Sequence, residues 1–442
     1  MVFDAMKINA PRGTDLPKTF LAGLFHSSLT WILAGFFIAY ILFFYRPIFE
    51  NPHHKMYFPA YVPSLSKVGG DLENLVTSSR KAVEGSANPY VQSTDFYYPP
   101  LTFVLFLGLS YIPFLWAFRV VSGCTIAFFF FSAFLFPLYS MRKRSVSRIL
   151  LLVFALGLMS YGFQFEIERG QFNIIATGCA LLAVLIYREA PRYRWIAFLL
   201  ITIAIQMKIY PAIFILLFLE GRPPWRQLLR DLALLFLLNV ASLFVLGVPR
   251  LLDFLNMVFL RMAQPYIWIG NMSATSFATK AYPANPSVLI AMIFGLYAVC
   301  LIGASWFFFT RPQKMARYYL FLVCVVGALI IPSVSHDYKL PLLIAPVVIL
   351  LDSVTLFQKN QLLRIGRMAC LLLCSAAFAS TLFSFTNKIY IPGIGETPIS
   401  ILVQNNLPSL LVLLLGFAFL AMTQGPDPDP GPLPADNPAS PV

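Results

Sequence analysis

The chain of 442 residues is 59% hydrophobic and only 12% charged, whereas ordinary soluble domains carry about a quarter charged residues. That composition excludes a soluble fold, which could not bury so much apolar surface. The net charge of +13 does not indicate a nucleic-acid partner, because most Lys and Arg residues lie in the N-terminal segment and in five short loops between apolar runs. These basic segments carry the positive-inside signal of cytoplasmic loops and are 7–18, 142–148, 188–194, 222–230, 311–317 and 359–367. We therefore predict an all-α polytopic membrane protein.

In chain order, the first apolar run is Ala22–Phe44, which is too long for the core of a signal peptide and is predicted to be an uncleaved span. It follows a cytoplasmic N-terminal segment, residues 1–21. The transmembrane domain is predicted to cover residues 22–423, and the Pro-rich tail, 424–442, to be disordered and cytoplasmic. The further candidate spans, judged against the roughly 20 apolar residues that cross a bilayer, are 115–139, 149–167, 172–187, 229–247, 286–310, 318–333, 339–357, 365–384 and 400–423.

Two regions do not fit a simple count of spans. Residues 195–220 form one apolar run with basic loops at both ends, so we predict two shorter helices that turn at 208–211 and place Lys208 at the outer surface. Residues 99–114 are predicted to be a short helix entering from the outer side, because a full span would invert all later loops. The chain then has about twelve spans. Both termini are expected in the cytoplasm, and the protein in the inner cell membrane.

The outer loops carry unusual sequence. The first, Tyr45–Tyr98, contains an amphipathic stretch, 71–84, which predicts a helix lying along the membrane surface. The residues expected on its apolar side are Leu72, Leu75, Val76, Ser79 and Val83. The second long outer loop is Val248–Pro286. The six cysteines all lie in apolar runs and are predicted to be packing residues rather than metal ligands or redox pairs.

Five polar patches fall on the predicted outer face. They are Gly69-Gly70-Asp71, Tyr97-Tyr98-Pro99-Pro100, the hairpin sequence 166–173 (EIERGQFN), the turn 206–211 (QMKIYP) and Ser335-His336-Asp337-Tyr338-Lys339. Ionisable groups near a membrane are costly and usually mark function. Acidic, basic and amide groups from distant segments on one face therefore predict a functional site.

These patches, in this order, resemble glycosyltransferase family 87, which belongs to the wider GT-C class of transferases that use polyprenyl-phosphate sugars. The resemblance extends from the first span to about residue 352. It implies a GT-C-type bundle with an extracytoplasmic interfacial helix in the first outer loop. It also implies transfer of a hexose, mannose in particular, from a polyprenyl-phosphate donor to a glycolipid or glycan hydroxyl, with inversion at the anomeric carbon.

The resemblance places the catalytic general base at Asp71. Cations suited to the donor phosphate are Arg169, Lys208 and Lys339, and the expected substrate contacts are His336, Gln171, Asn173, Tyr98 and Asn271. His336 is a further candidate for the phosphate. No metal or other cofactor is expected, since a phosphate leaving group departs readily and no Asp-x-Asp pair lies in an outer loop. The expected partners are the donor, the acceptor and membrane lipid.

Each residue also has a structural alternative. Asp71 could cap the interfacial helix, Arg169 could pair with Glu166 or Glu168, and Lys208 could reach to the interface as a helix-end lysine. His336 could pair with Asp337, the amides of Gln171 and Asn173 could brace the hairpin, and Tyr98 could fix how the chain re-enters the membrane. Two other functions stay open: a secondary transporter of about twelve spans, and a ligase or polymerase of lipid-diphosphate-linked glycans.

Overall fold

The structure is a computed structural model of the chain. It describes residues 68–92, 98–141, 157, 160–221, 224–263, 266–267, 270–310, 314–354, 356, 360–382 and 405–424. These residues lie almost entirely in helices, and an isolated bridge between Asn271 and His336 pairs two loops. The predicted N-terminal segment 1–21, the first span Ala22–Phe44 and tail residues 425–442 lie outside the described residues, so the domain limits stay predictions.

The amphipathic stretch 71–84 forms the predicted helix, α1 (Gly70–Val83). The first half of the described chain continues with α2 (Pro100–Leu107), α3 (Phe114–Phe130), α4 (Tyr161–Arg169), α5 (Asn173–Glu189), α6 (Arg194–Met207) and α7 (Trp225–Leu243). Shorter segments are the single turn Pro89–Gln92, the 3-10 segments Gly108–Tyr111, Pro191–Tyr193 and Tyr210–Gly221, and the π turn Phe131–Leu135 with helix Phe136–Met141, which extend α3.

The second half contains α8 (Val248–Ala263), α9 (Ala274–Ala281), α10 (Pro286–Thr310), α11 (Lys314–Ile330), the 3-10 segment Asp337–Leu343, α12 (Ile344–Ser353), α13 (Gln361–Leu382) and α14 (Leu407–Met422). α11 lies at the centre, because almost every residue from Met315 to Ile330 is buried. It packs against α10, α12, α14 and the 3-10 segment Tyr210–Gly221.

Three helices in the described part of the chain are long and apolar enough to cross a membrane: Phe114–Tyr139, Pro286–Thr310 and Gln361–Leu382. The number rises to five if each of two sharply bent pairs, α4 with α5 (107°) and α7 with α8 (104°), is one span. α10 and α13 also carry exposed apolar side chains, including Ile302, Trp306 and Leu372, which suit contact with lipid. The chain is a helical membrane protein, while the count of about twelve spans stays a prediction.

Both ambiguous regions contain the predicted short helices. Residues 100–111 form α2 and a 3-10 turn that end before Pro113. The run 195–220 is broken at Lys208-Ile209, as predicted, but its second part is a 3-10 segment rather than an α-helix.

The structure differs from the sequence prediction at three places. The loop Val248–Pro286 contains α8 and α9, and α8 forms because Leu251, Phe254 and Met257 bury one side at helical spacing. Val83 of α1 is exposed, and Ala82 is buried in its place.

The third difference concerns the hairpin acids Glu166 and Glu168, which lie in the last turn of α4 rather than in the hairpin itself. α4 ends where Gly170, at φ 66°, donates to the carbonyl of Ile167 while the amide of Gln171 donates to the carbonyl of Glu166. This is a Schellman ending.

Candidate active site

Asp71 lies in the first turn of α1, but its side chain does not cap that helix. The N-cap residue is Gly69, at φ 72°, and no side-chain cap hydrogen bond forms. The Asp71 carboxylate instead accepts two hydrogen bonds from Arg169, from Nη2 to Oδ1 at 2.7 Å and from Nε to Oδ2 at 3.2 Å. Gln171 Nε2 also donates to Oδ2, at 2.6 Å. The capping alternative therefore does not account for this carboxylate.

Two glycines with positive φ allow α1 to dock on the end of α4. The amide of Gly69 donates to the carbonyl of Glu168 at 2.7 Å. A Cβ at Gly170 would lie 2.7 Å from the Cβ of Leu72 and 3.4 Å from the Cα of Gly69. Glycine therefore both supplies the left-handed backbone and permits the close approach, and this contact brings Asp71 to Arg169.

The polar chain continues from Gln171 to Lys208 at the break after α6. Lys208 Nζ donates to Gln171 Oε1 at 3.1 Å and lies 3.5 Å from the hydroxyl of Tyr98. The ammonium also lies 4.6 Å from the Tyr98 ring centre and 4.4 Å from that of Phe172, distances typical of cation–π contacts. We call Asp71, Arg169, Gln171, Lys208 and Tyr98 the outer polar row.

His336 lies beside the outer polar row, half-buried in the loop before the 3-10 segment Asp337–Leu343. Its ring packs edge-on against Tyr266 and Tyr338, with centroids 5.5 Å and 5.2 Å away. Loss of solvent, together with the nearby charges of Lys339, Arg169 and Lys208, lowers the pKa of His336 to about 3. The imidazole is therefore neutral near pH 7, which suits a hydrogen-bonding group better than a cation for phosphate.

A second set of predicted residues lies deeper, and we call it the inner polar cluster: Glu166, Asn173, Tyr210 and Lys339. Asn173 Nδ2 donates to Glu166 Oε2 at 2.9 Å, and the Tyr210 hydroxyl donates to the carbonyl of Asn173 at 3.1 Å. Lys339 Nζ donates to the carbonyl of Val334 at 3.1 Å and lies 4.8 Å from the Tyr210 ring centre. Asn173 is 0% exposed and Lys339 4% exposed, so the structure places them below the outer polar row, where the side chains of Asp71 and Arg169 are each 27% exposed.

Asn271 is also an internal residue. Its Nδ2 donates to the carbonyls of Tyr266 and Ser333, while its Oδ1 accepts from the amides of Ser273 and Ser335. Asn405 Nδ2 donates to the Asn271 carbonyl at 3.1 Å. These bonds tie the loop between α8 and α9 to the His336 loop and to the start of α14.

Sequence reasoning overlooked Phe172 and Tyr338, which form walls of the site beside Lys208 and His336. The available signal was their position inside the motifs 166–173 and 335–339, where each apolar ring lies between polar residues. Within the described residues, no group of three or more His, Cys, Asp or Glu side chains could hold a metal ion. The expectation that no cofactor is needed stays a prediction.

The family model of glycosyltransferase family 87 matches residues 96–332, more than half of the 442-residue chain. The chain belongs to glycosyltransferase family 87. It is therefore a membrane glycosyltransferase that would use a sugar donor and an acceptor, and a transporter does not fit this membership. No curated protein matches the chain significantly.

The matched segment, 96–332, is shorter than the region over which the sequence motifs resemble the family, which extends from the first span to about residue 352. It includes four members of the outer polar row, Tyr98, Arg169, Gln171 and Lys208, and also Asn271. Asp71 precedes the matched segment and the 335–339 patch follows it.

Proposed function

We propose that this family 87 enzyme transfers a hexose, mannose in particular, from a polyprenyl-phosphate donor to a hydroxyl of a glycolipid or glycan. The observation that carries the proposal is the outer polar row. It places one half-buried carboxylate beside a guanidinium, an amide and an ammonium, all at one end of the helical bundle. Those groups match the needs of a sugar transfer in which a proton is taken and a phosphate departs.

In the proposed reaction, Asp71 accepts the proton of the acceptor hydroxyl. The hydroxyl oxygen attacks the anomeric carbon from the side opposite the phosphate and forms the new glycosidic bond. The bond from that carbon to the phosphate oxygen breaks, and its electron pair leaves with the polyprenyl phosphate. One displacement inverts the anomeric configuration.

Arg169 and Lys208 are the proposed partners of the departing phosphate. Asp71 and Gln171 lie between their two charges, and cations fixed in a site of restricted solvent stabilise developing negative charge strongly. The Arg169 guanidinium can donate two parallel hydrogen bonds to a phosphate. Lys339, at 4% exposure, would act on the phosphate through its charge from the layer below.

Arg169 has to change partner for this reaction to proceed. In the described structure it occupies both oxygens of Asp71, one of which must receive the acceptor hydroxyl. A donor phosphate is a second anion that suits the guanidinium equally well. We therefore expect donor binding to draw Arg169 from Asp71 and so to open the base to the acceptor.

The remaining predicted contacts divide according to depth. Tyr98, Gln171 and His336 are proposed to bind substrate hydroxyls directly, since they belong to the outer polar row or lie beside it. Asn173 and Asn271 are buried with their amides engaged, so we propose that they hold the hairpin and the His336 loop in place for the substrate.

The extracytoplasmic location of the site is proposed from the direction of the helices. α5 leads from the outer polar row to basic residues at 188–194, and α6 returns from those residues to Lys208. Basic loops remain in the cytoplasm. The site then faces outward from the inner membrane, where lipid-linked sugars can reach it.

The direct test is a comparison of donors with the purified chain in lipid nanodiscs and a membrane lipid extract as acceptor. We expect label from polyprenyl-phosphate mannose to enter the lipid fraction, with a product linkage of the opposite anomeric configuration by NMR. Transfer only from a nucleotide sugar, or only from a polyprenyl-diphosphate oligosaccharide, would contradict the proposal. The second result would favour the ligase or polymerase alternative.

A further inference from the structure

A surface cavity of about 430 Å³ lies beside the second half of α1, away from the outer polar row. Its lining residues are Val76, Thr77, Arg80, Lys81, Glu84, Ser86 and Ser110. The lining thus offers two cations and three hydroxyl groups, with one carboxylate. Arg80 follows Asp71 by nine residues in the same helix, which places it about 14 Å farther along the helix axis. The cavity is therefore separate from the proposed catalytic groups.

The position of α3 relates this cavity to the membrane surface. The helix Phe114–Tyr139 is long and apolar enough to cross a membrane, and Ser110 precedes its first residue by one helical turn. Tyr111 and Trp116 at this end are 63% and 56% exposed. Tyr and Trp side chains favour the boundary between lipid tails and headgroups. The cavity therefore opens at the level of the headgroups.

We propose that this cavity binds the phosphate of an anionic lipid headgroup. The Arg80 and Lys81 side chains supply the positive charge, and the Thr77 hydroxyl can donate to a phosphate oxygen. The hydroxyls of Ser86 and Ser110 donate to the carbonyls of Lys81 and Leu107. The guanidinium of Arg80 lies 5.8 Å from the Tyr111 ring centre, which keeps it beside the cavity.

Glu84 competes with a phosphate for Arg80. Arg80 Nε donates to Glu84 Oε1 at 2.9 Å, and the two side chains are 56% and 45% exposed. Exposed pairs of this kind contribute little stability, so a phosphate can displace the carboxylate at small cost.

The phosphate could come from a bilayer phospholipid or from a phosphate-bearing lipid acceptor. Both present the same chemistry to Arg80 and Lys81. The acceptor source rests on the proposed function, whereas binding of a headgroup does not.

The test uses the full chain in nanodiscs of phosphatidylcholine and phosphatidylglycerol, with retained lipid measured by native mass spectrometry. The wild type should retain phosphatidylglycerol preferentially. The double variant Arg80→Gln/Lys81→Gln should lower that preference on the order of tenfold. Glu84→Gln should raise it, because Arg80 loses its competing partner. Arg192→Gln, an exposed cation between α5 and α6, should leave it unchanged.

Unchanged retention in the double variant, with melting temperature equal to wild type, would overturn the proposal, as would a loss of retention in Glu84→Gln. Transfer kinetics then identify the source. A raised KM for the lipid extract at unchanged kcat would identify the acceptor, and unchanged kinetics would identify a bilayer phospholipid. A chain without transferase activity would overturn the proposed function alone, because lipid retention is measured without transfer.

Discussion

Arg169 is central to the proposed reaction, because the Asp71 carboxylate and the donor phosphate both require its guanidinium. In the described structure it donates two hydrogen bonds to Asp71, and both side chains retain 27% exposure. Partial exposure allows the exchange to a donor phosphate without unpacking the bundle. The planar fork of arginine suits each partner in turn, and lysine could not form two parallel bonds with either.

We predict that Arg169→Lys raises the KM for the donor and lowers kcat/KM on the order of ten- to a hundredfold. Loss of hydrogen bonds to charged groups at about 1.5–3 kcal/mol has this effect on rate. Steady-state kinetics with labelled donor measure it. Arg192→Lys, in the turn between α5 and α6, is the matched control. Equal kcat/KM in Arg169→Lys and wild type would exclude a phosphate contact by the fork.

His336 carries a prediction about pH. Its pKa of about 3 lies far below the working range, so the ring stays neutral and cannot produce an inflection between about pH 5 and 8. We expect His336→Asn to raise a substrate KM while the shape of the kcat profile over that range stays the same. A limb near pH 6 that is present in wild type and absent from the variant would show instead that His336 titrates during catalysis.

For single residues, the sequence predicted which segments meet at the site, but not which of their side chains are exposed there and which are buried. Gln171 and Asn173 are two residues apart in one motif, yet Gln171 contacts Asp71 whereas Asn173 bonds to Glu166 beneath it. That division depends on where α4 ends and α5 begins, and no short motif specifies it.

At the scale of elements, the docking of α1 on α4 determines whether Asp71 reaches the site. We predict that Gly170→Ala lowers the melting temperature and abolishes most transfer. The left-handed backbone costs about 1–2 kcal/mol for a residue with a Cβ, and that atom would lie 2.7 Å from Leu72.

Gly108→Ala is the control for this prediction, because it has no neighbour within 4 Å of an added Cβ and lies in a right-handed 3-10 turn. Thermal unfolding in detergent and transfer activity are measured for both variants. Equal losses in Gly108→Ala and Gly170→Ala would show that the docking contact has no special role.

Most helices were predictable because long apolar runs between basic loops have few other solutions in a membrane. The break at Lys208-Ile209 followed from the same reasoning. α8 was missed because its apolar residues alternate with polar ones in a region already assigned to an outer loop. The ending of α4 was missed because Glu166, an ionisable residue of the kind expected in a loop, is fully buried in the helix, where Asn173 and the amide of Ile174 donate to its carboxylate.

For the whole molecule, the proposed extracytoplasmic location of the site requires the outer polar row and the basic loops to lie on opposite sides of the membrane. We predict that Ala284→Cys, between α9 and α10, reacts with an impermeant maleimide in intact spheroplasts. Arg192→Cys should react only after permeabilisation. Both positions are exposed in the structure, and the wild type with its six native cysteines is the background control. The reverse pattern would place the site in the cytoplasm.

The side of the membrane on which each loop lies can be predicted from the distribution of charges, because positively charged loops resist translocation. The number of spans depends in addition on where an apolar run is broken. α6 and its 3-10 continuation keep both flanking basic loops in the cytoplasm only if the chain turns back at the Lys208 break, and the length of the apolar run alone does not indicate that turn.

In the proposed reaction, Asp71 is the base in a transfer from a polyprenyl-phosphate sugar. The measurement is kcat for transfer of labelled mannose by wild type, Asp71→Asn and Glu73→Gln, at equal amounts of folded protein in nanodiscs. Glu73 lies in the same first turn of α1, so its variant removes the same charge from nearly the same place. We predict a loss of about 10²–10⁴-fold for Asp71→Asn and less than a severalfold change for Glu73→Gln. Near-normal kcat in Asp71→Asn, or the larger loss in Glu73→Gln, would contradict the account.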